Sequence, residues 1–178
     1  MMPVNLSLTP PVPVQTDVID DLLACHARIR HHLELAQRIV EGSAASSAKD
    51  IAEAAADVTR YFTVALPLHA MDEDLSLWPR LAAATIPPGV RALLTQTTLE
   101  HRAMNQIIEE IAPLWREVAA QPSICRGRRT ELGVAVAELD ALFEEHLRIE
   151  EEILFPALRR HLDPATLAEA RREMRARR

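Results

Sequence analysis

One helical pattern occurs twice in the sequence. A histidine is followed after four residues by a glutamate, after four more by a leucine, and then by an aromatic residue, a proline and another leucine. The two copies are His69, Glu73, Leu77, Trp78, Pro79, Leu81 and His146, Glu150, Leu154, Phe155, Pro156, Leu158. Upstream lies a looser match of His26, Ile29 and Leu33 with His101, Met104 and Ile108. The chain is therefore predicted to contain two copies of one helical hairpin, which indicates an all-α, up-down-up-down four-helix bundle.

Helix formers and helix breakers give the predicted domain organisation. The chain has 4 glycines and 3% aromatic residues, and good helix formers dominate the rest. Prolines favour an extended N-terminal arm over residues 1–16. Residues 17–162 are predicted to form the bundle, with long helices over about 17–41, 50–78, 88–119 and 130–155. Residues 163–178 are predicted to form a short basic C-terminal helix, opened by Asp163 and Pro164.

Local signals mark the expected helix ends and bends. Gly42 is expected to end the first helix, and Asp50 to cap the second helix through a capping box. Pro67 is expected to kink the second helix and Pro113 to bend the third. Pro156 is expected to interrupt the fourth helix, because proline cannot donate the helical hydrogen bond.

Both His-x-x-x-Glu pairs are predicted to face the inside of the bundle. Residues four apart lie only about 40° apart around a helix, so the two members of each pair share a face. Apolar residues flank each pair, which indicates the buried stripe of its helix. His26 and His101 lie on apolar stripes too, and the helix lengths place all four histidines within about one turn of the same level.

Four histidines and two glutamates inside an apolar bundle require a partner. A buried ionised carboxylate must be paired or must bind a metal, and mixed imidazole and carboxylate ligands suit iron, manganese or zinc. Two carboxylates, each able to bridge, favour two metal ions over one. The alternative is a set of ordinary surface pairs and satisfied core histidines. The predicted metal ligands are His26, His69, Glu73, His101, His146 and Glu150.

The charge and the apolar runs of the chain argue against several functions. A formal net charge of -6 provides no overall basic field for nucleic acid. No run approaches the roughly 18–20 apolar residues of a membrane span, and the N-terminal residues do not resemble a signal peptide. Cys25 and Cys125 are too few for a disulfide scaffold. The sequence predicts a cytoplasmic protein with free thiols that binds neither nucleic acid nor membrane.

Several further residues have ordinary explanations at this level. His31 and His32 are expected on the surface, and Cys25 is expected to be a small buried apolar residue. Asp72, three residues after His69, is either an extra ligand, a hydrogen-bond acceptor behind a ligand, or a surface charge. For the arginine-rich C-terminal helix, a solvated face is favoured over contact with an acidic partner.

The segments LPLHAMDEDLSLWPRL and EEHLRIEEEILFPAL, with the single histidine upstream of each, resemble the hemerythrin-like, cation-binding HHE family. The resemblance covers about residues 17–160 and implies a non-haem di-iron centre. The resemblance implies that His26 and His69 would hold one iron, that His101 and His146 would hold the other, and that Glu73 and Glu150 would bridge them.

The chain departs from the family pattern at Asn105. The family's oxygen carriers have a second histidine there, one turn after the one in the third helix. The departure leaves the second iron with one ligand fewer and disfavours simple reversible oxygen carriage. Thr97 and Asn105, each one turn from His101, are candidates to hold a metal-bound water.

Three functions remain open from the sequence. The first is a small-molecule binder or sensor, in which the di-iron site takes up oxygen or nitric oxide or reports iron. The second is a catalase-like enzyme that consumes peroxide. The third is a helical interaction module with a zinc-filled or vestigial site. The expected partner is a small diatomic ligand or peroxide, and the sequence leaves the oligomeric state open.

Overall fold

The computed structural model describes residues 17–42 and 47–178, which form helices and contain no β-strand. The arm predicted for residues 1–16 lies outside these described residues. Helix α1 is Val18–Glu41, α3 is Pro88–Ala120 and α5 is Pro164–Ala176. Helix α2 covers residues 48–83, as Ala48–Arg60, the π turn Tyr61–Ala65, Leu66–Asp72, the π turn Glu73–Leu77 and Trp78–Ala83. After a 3-10 turn, Pro122–Arg126, α4 covers residues 129–161, as Arg129–Ile149, the π turn Glu150–Leu154 and Phe155–His161.

Capping residues define both ends of α1 and the start of α2. The side chain of Asp17 accepts a hydrogen bond from the Asp20 N–H at 2.9 Å and forms a capping box. Gly42 ends α1 in the left-handed region at φ 65, as predicted. Asp50 does not cap α2, so that prediction was wrong. Ser47 is the cap and Asp50 its partner three residues on, since the Asp50 carboxylate accepts the Ser47 N–H at 2.9 Å.

The four long helices pack in a closed ring, in which α1 contacts α2, α2 contacts α3, α3 contacts α4 and α4 contacts α1. Two apolar clusters fill the interior. Ile29, Phe62, Met104 and Phe143 belong to one cluster, and Leu22, Leu77, Leu94 and Leu154 belong to the other. Each helix contributes to both clusters, and the candidate metal residues lie between them along the chain. Burial of this apolar surface is the largest favourable contribution to packing the four helices together.

The π turns explain how one helix keeps residues at four-residue steps facing inward. His69, Glu73, Leu77 and Leu81 are all buried. In a regular helix, three steps of four residues would drift by about 120°, since each step adds about 40°. A π turn holds one extra residue and so removes about 100° of that drift. The Trp78 N–H accordingly bonds to the Glu73 carbonyl, five residues back, and the second copy in α4 is built in the same way.

Proline does not interrupt α4, which corrects the expectation for Pro156. The helix continues to His161 because the π turn Glu150–Leu154 ends just before the proline. The shifted hydrogen bonding of that turn accommodates a residue without an N–H. In α2 the helix likewise continues through Pro67, which follows the π turn Tyr61–Ala65. The same arrangement carries α2 beyond its predicted end at Trp78 to Ala83.

Within the described part of the chain, no helix combines the length and the apolar character needed to cross a membrane.

Candidate metal centre

The six predicted residues meet in the polar layer between the two apolar clusters, and each is no more than 5% exposed. Their ligand-capable atoms form two groups, and within each group these atoms lie within 4.8 Å of one another. One group is His26, His69, Glu73 and Glu150, and the other is Glu73, His101, His146 and Glu150. Both glutamates belong to both groups, whereas each histidine belongs to one.

Glu73 lies among three imidazoles. Its Oε1 atom is 3.9 Å from Nε2 of His26. Its Oε2 atom is 3.3 Å from Nε2 of His101 and 3.7 Å from Nε2 of His69. Two ligands bound at about 2.1 Å to one ion are about 3.0 Å apart in octahedral geometry and about 3.4 Å apart in tetrahedral geometry. The spacing around Glu73 is therefore close to that of atoms sharing an ion.

Glu150 also lies among three imidazoles, those of His26, His101 and His146. Its Oε1 atom is 3.2 Å from Nε2 of His146 and 3.9 Å from Nε2 of His101. Its Oε2 atom is 3.3 Å from Nε2 of His26. Each carboxylate thus reaches imidazoles of both groups, which is the geometry that bridging requires.

Most of the inward-facing atoms of this cluster have no hydrogen-bond partner among the described residues. They are Nε2 of His26, His69 and His101 and both carboxylate oxygens of Glu73 and Glu150. Buried polar atoms are nearly always paired, and an unpaired buried carboxylate is very costly. Cations placed between these atoms would satisfy them together, so the residues present fit a pair of metal ions.

In three of the four imidazoles, a carboxylate contacts Nδ1, the ring nitrogen that points away from the cluster. Sequence reasoning missed these three carboxylates. The Nδ1 contacts are His26 to Glu151 at 2.8 Å, His101 to Asp74 at 3.1 Å and His146 to Glu100 at 2.8 Å. A carboxylate at Nδ1 fixes the ring orientation and leaves Nε2 free for a metal. This arrangement is common behind metal-binding histidines.

The repeat contains a signal for two of these carboxylates. Asp74 directly follows Glu73 and Glu151 directly follows Glu150, so they occupy matching places, and each contacts a histidine of the other hairpin. Glu100 has no such counterpart, because the residue before His26 is a cysteine. His69 correspondingly has no partner for its Nδ1 atom among the described residues. The two halves of the centre are therefore unequal.

The carboxylates also set the protonation of the metal-free centre. Burial lowers the pKa of His26, but Glu150 and Glu73 outweigh it and raise the pKa to about 10. Burial is likewise outweighed by nearby carboxylates at His101, whose pKa rises to about 10. At His69 burial prevails and lowers the pKa. A metal entering the centre must therefore displace protons.

A small cavity lies beside His101 and His146. It has a volume of about 10 Å³, enough for about one water-sized molecule. His69, His101, His146 and Asn105 line it together with apolar side chains. Thr97, the other residue that the sequence offered as a holder of water, is buried and its hydroxyl donates to the Leu94 carbonyl at 3.3 Å. Asn105 is thus the candidate that faces space beside the centre.

His32 is buried, which makes its predicted surface position wrong. Its ring stacks on Tyr61 with centroids 3.8 Å apart and 6° between the planes. Its Nδ1 atom lies 2.7 Å from the Arg28 carbonyl. The contact between α1 and α2 covers this side of α1, whereas His31 is exposed as expected.

Asp72 is buried as well, so the interpretation of Asp72 as a surface charge is wrong. It is 1% exposed, lies outside both groups of ligand-capable atoms, and is paired with Arg177 at 2.8 Å and Arg178 at 2.6 Å. The arginine-rich C-terminal helix, expected to present a solvated face, contacts acidic residues of its own chain. Cys25 is a buried free cysteine, as expected.

Comparison with known protein families gives one result. A family model described as the hemerythrin HHE cation binding domain matches residues 17–158, and an overlapping match covers residues 93–177. The first match contains all six residues of the cluster. Among curated proteins, none matches the sequence.

Proposed function

Because the chain belongs to the hemerythrin HHE cation-binding family, we propose that the buried cluster binds two metal ions. His26 and His69 would hold one ion, His101 and His146 the other, and Glu73 and Glu150 would bridge them. One observation carries this proposal. Each glutamate lies within 3.9 Å of Nε2 atoms from both histidine pairs.

We propose non-haem iron as the metal, with two ions per chain. Imidazole and carboxylate ligands suit iron, and they also accept zinc or manganese, so the metal content must be measured. The ring of contacts among α1, α2, α3 and α4 supports an up-down-up-down four-helix bundle around the centre, with residues 17–162 as its domain.

The proposed ligands of the centre are small: oxygen, nitric oxide or peroxide. Bound iron would supply the capacity to bind and reduce or oxidise such molecules. The chain itself orients the imidazoles through Asp74, Glu100 and Glu151 and excludes bulk water with the two apolar clusters. Neither nucleic acid nor a membrane is a partner in this proposal, and the proposed location is the cytoplasm.

Asn105 favours a second candidate function, a catalase-like enzyme that consumes peroxide. A side-chain amide is a poor iron ligand, so the ion held by His101 and His146 would keep a position for water or a small ligand. The cavity lined by Asn105 lies beside that position. A vestigial interaction module is less consistent with a buried cluster in which five of the six side chains have inward atoms without a hydrogen-bond partner among the described residues.

Metal analysis of anaerobically purified protein tests the proposal directly. The expected result is close to two irons per chain, with a visible spectrum that changes on adding oxygen and then peroxide. A change with oxygen alone would favour a binder or sensor, and sustained peroxide consumption would favour the enzyme. Protein that takes up no iron after reconstitution would contradict the di-iron centre.

A further inference from the structure

The two copies of the repeat differ along one face of their helices. Where α4 carries Ile149, Ile153 and Ala157, the matching positions of α2 carry Asp72, Ser76 and Arg80. These residues are spaced by four, so they follow one side of the helix around the π turn Glu73–Leu77. An apolar face in one copy is thus a polar face in the other.

Helix α5 and the residues after it cover this polar face. Asp72 accepts from Arg177 Nη1 at 2.8 Å and from Arg178 Nη2 at 2.6 Å, one guanidinium on each carboxylate oxygen. Because Asp72 is only 1% exposed, these two arginines, and not water, balance the carboxylate. Removing both would leave a buried, uncompensated carboxylate, which is strongly unfavourable.

Glu173 extends the same contact along the π turn. Its carboxylate accepts from the Ser76 hydroxyl at 3.0 Å and from Arg80 at 2.7 Å and 3.0 Å. Arg80 also donates to the backbone carbonyl of Ser76 at 2.7 Å, and Arg177 donates to the Ser76 hydroxyl. We call Glu173, Arg177 and Arg178 the C-terminal clamp.

We propose that Arg177 and Arg178 are positioning residues for the metal centre. The clamp holds Asp72, immediately before Glu73, and Ser76, within the π turn that Glu73 begins. It thereby fixes the backbone that aims the Glu73 carboxylate at the imidazoles. The metal-holding part of this inference rests on the proposed function, whereas the effect on the turn does not.

Hydrogen exchange on metal-free protein tests the effect on the turn. In Arg177→Ala/Arg178→Ala, the amides of residues 73–78 should exchange at least about tenfold faster than in wild type, since those helical hydrogen bonds open more often. The π turn of α4, residues 150–155, has no clamp and should exchange as in wild type. Arg172→Ala, which removes an exposed arginine of α5, is the matched control and should change neither turn.

Metal release tests the consequence for the centre. Loaded proteins are mixed with excess chelator, and the double variant should release metal about tenfold faster or more, the size of effect typical of residues behind a metal ligand. Arg172→Ala should match wild type. Adding Asp72→Asn to the double variant removes the buried charge, so this triple variant serves if the double variant does not fold, and it should show the same fast exchange and release.

The outcomes separate the two proposals. Unchanged exchange over residues 73–78 overturns the clamp whatever the metal does, and faster exchange with unchanged release overturns its role in positioning Glu73. If both thermal stability and exchange change equally across the whole chain, the clamp is merely structural and the inference fails. Wild-type protein that binds no metal would contradict the proposed function. The hydrogen-exchange measurement would still decide whether the clamp stabilises the π turn Glu73–Leu77.

Discussion

Glu73→Gln should empty both metal positions, not one. Glu73 approaches Nε2 of His26 in one group at 3.9 Å and Nε2 of His101 in the other at 3.3 Å. A neutral amide is a weak bridge, so in the proposed centre both ions would lose a ligand and the negative charge that balances them. Glu100→Gln is the matched control, because Glu100 contacts His146 but neither glutamate of the cluster, and its other oxygen accepts from Gln96 on the same helix. That change should lower the affinity of one position by roughly 10–100-fold and leave the other occupied.

The loss should be visible in thermal stability. An ion present at a hundredfold excess over its dissociation constant stabilises the native state by about 2.7 kcal/mol. For a chain of this length, each kcal/mol shifts the melting temperature by about 2–4 °C. Loading wild type should therefore raise Tm by about 5–11 °C for each ion bound, whereas Glu73→Gln should show almost no shift between metal-free and metal-treated samples.

The assay combines metal content with melting curves. Each variant is equilibrated with the same free iron concentration, its iron per chain is measured by atomic absorption, and unfolding is followed by circular dichroism. The expected contents are about two for wild type, near zero for Glu73→Gln and between one and two for Glu100→Gln. If Glu73→Gln retained one ion at wild-type affinity, Glu73 would not bridge and the reasoning from its contacts would be wrong.

Three further outcomes follow from particular side chains. With pKa values of about 10, His26 and His101 are protonated in metal-free protein at pH 7, so calorimetry in buffers of different ionisation enthalpy should detect release of at least two protons on loading. Because these two pKa values are higher in the folded than in the unfolded protein, protonation of His26 and His101 stabilises the metal-free fold. This contribution is complete below about pH 6.5 and should decline as the pH rises toward 10. Asn105→His should close the open position, lengthen the lifetime of an oxygen adduct and slow peroxide consumption, and stopped-flow spectra identical to wild type would contradict this. His32→Ala should lower the free energy of unfolding by about 1 kcal/mol or more through the lost stacking on Tyr61, as measured by urea denaturation against His31→Ala.

The sequence could predict the convergence of the six side chains because all of them lie on inward faces at fixed steps. Asp74 and Glu151 could have been found in the same way, since each follows a glutamate of the repeat. The sequence could not predict contacts between helices far apart in the chain. Burial of His32 depends on Tyr61, and burial of Asp72 depends on where α5 packs. The role of the six side chains as ligands stays a prediction.

The π turns were missed for a different reason. Each His-x-x-x-Glu pair alone fits a regular helix, because one step of four residues adds only about 40°. Only the longer series to Leu77 and Leu81 exceeds what a regular helix can hold on one face. Pro67, expected to kink its helix, and Pro156, expected to interrupt its helix, each follow a π turn and are compatible with it.

The π turns set a condition for anyone who wants to build this centre into a designed protein. Idealised helical scaffolds keep regular geometry throughout, and copying the six side chains onto such a scaffold would preserve each His-x-x-x-Glu pair. Every residue after Glu73 or Glu150 would then be rotated by about 100° relative to its place here. The leucines and aromatic residues that seal one end of the centre would turn toward a neighbouring helix or the solvent. A faithful transplant therefore needs one additional residue in each of two helices, inserted immediately after the glutamate.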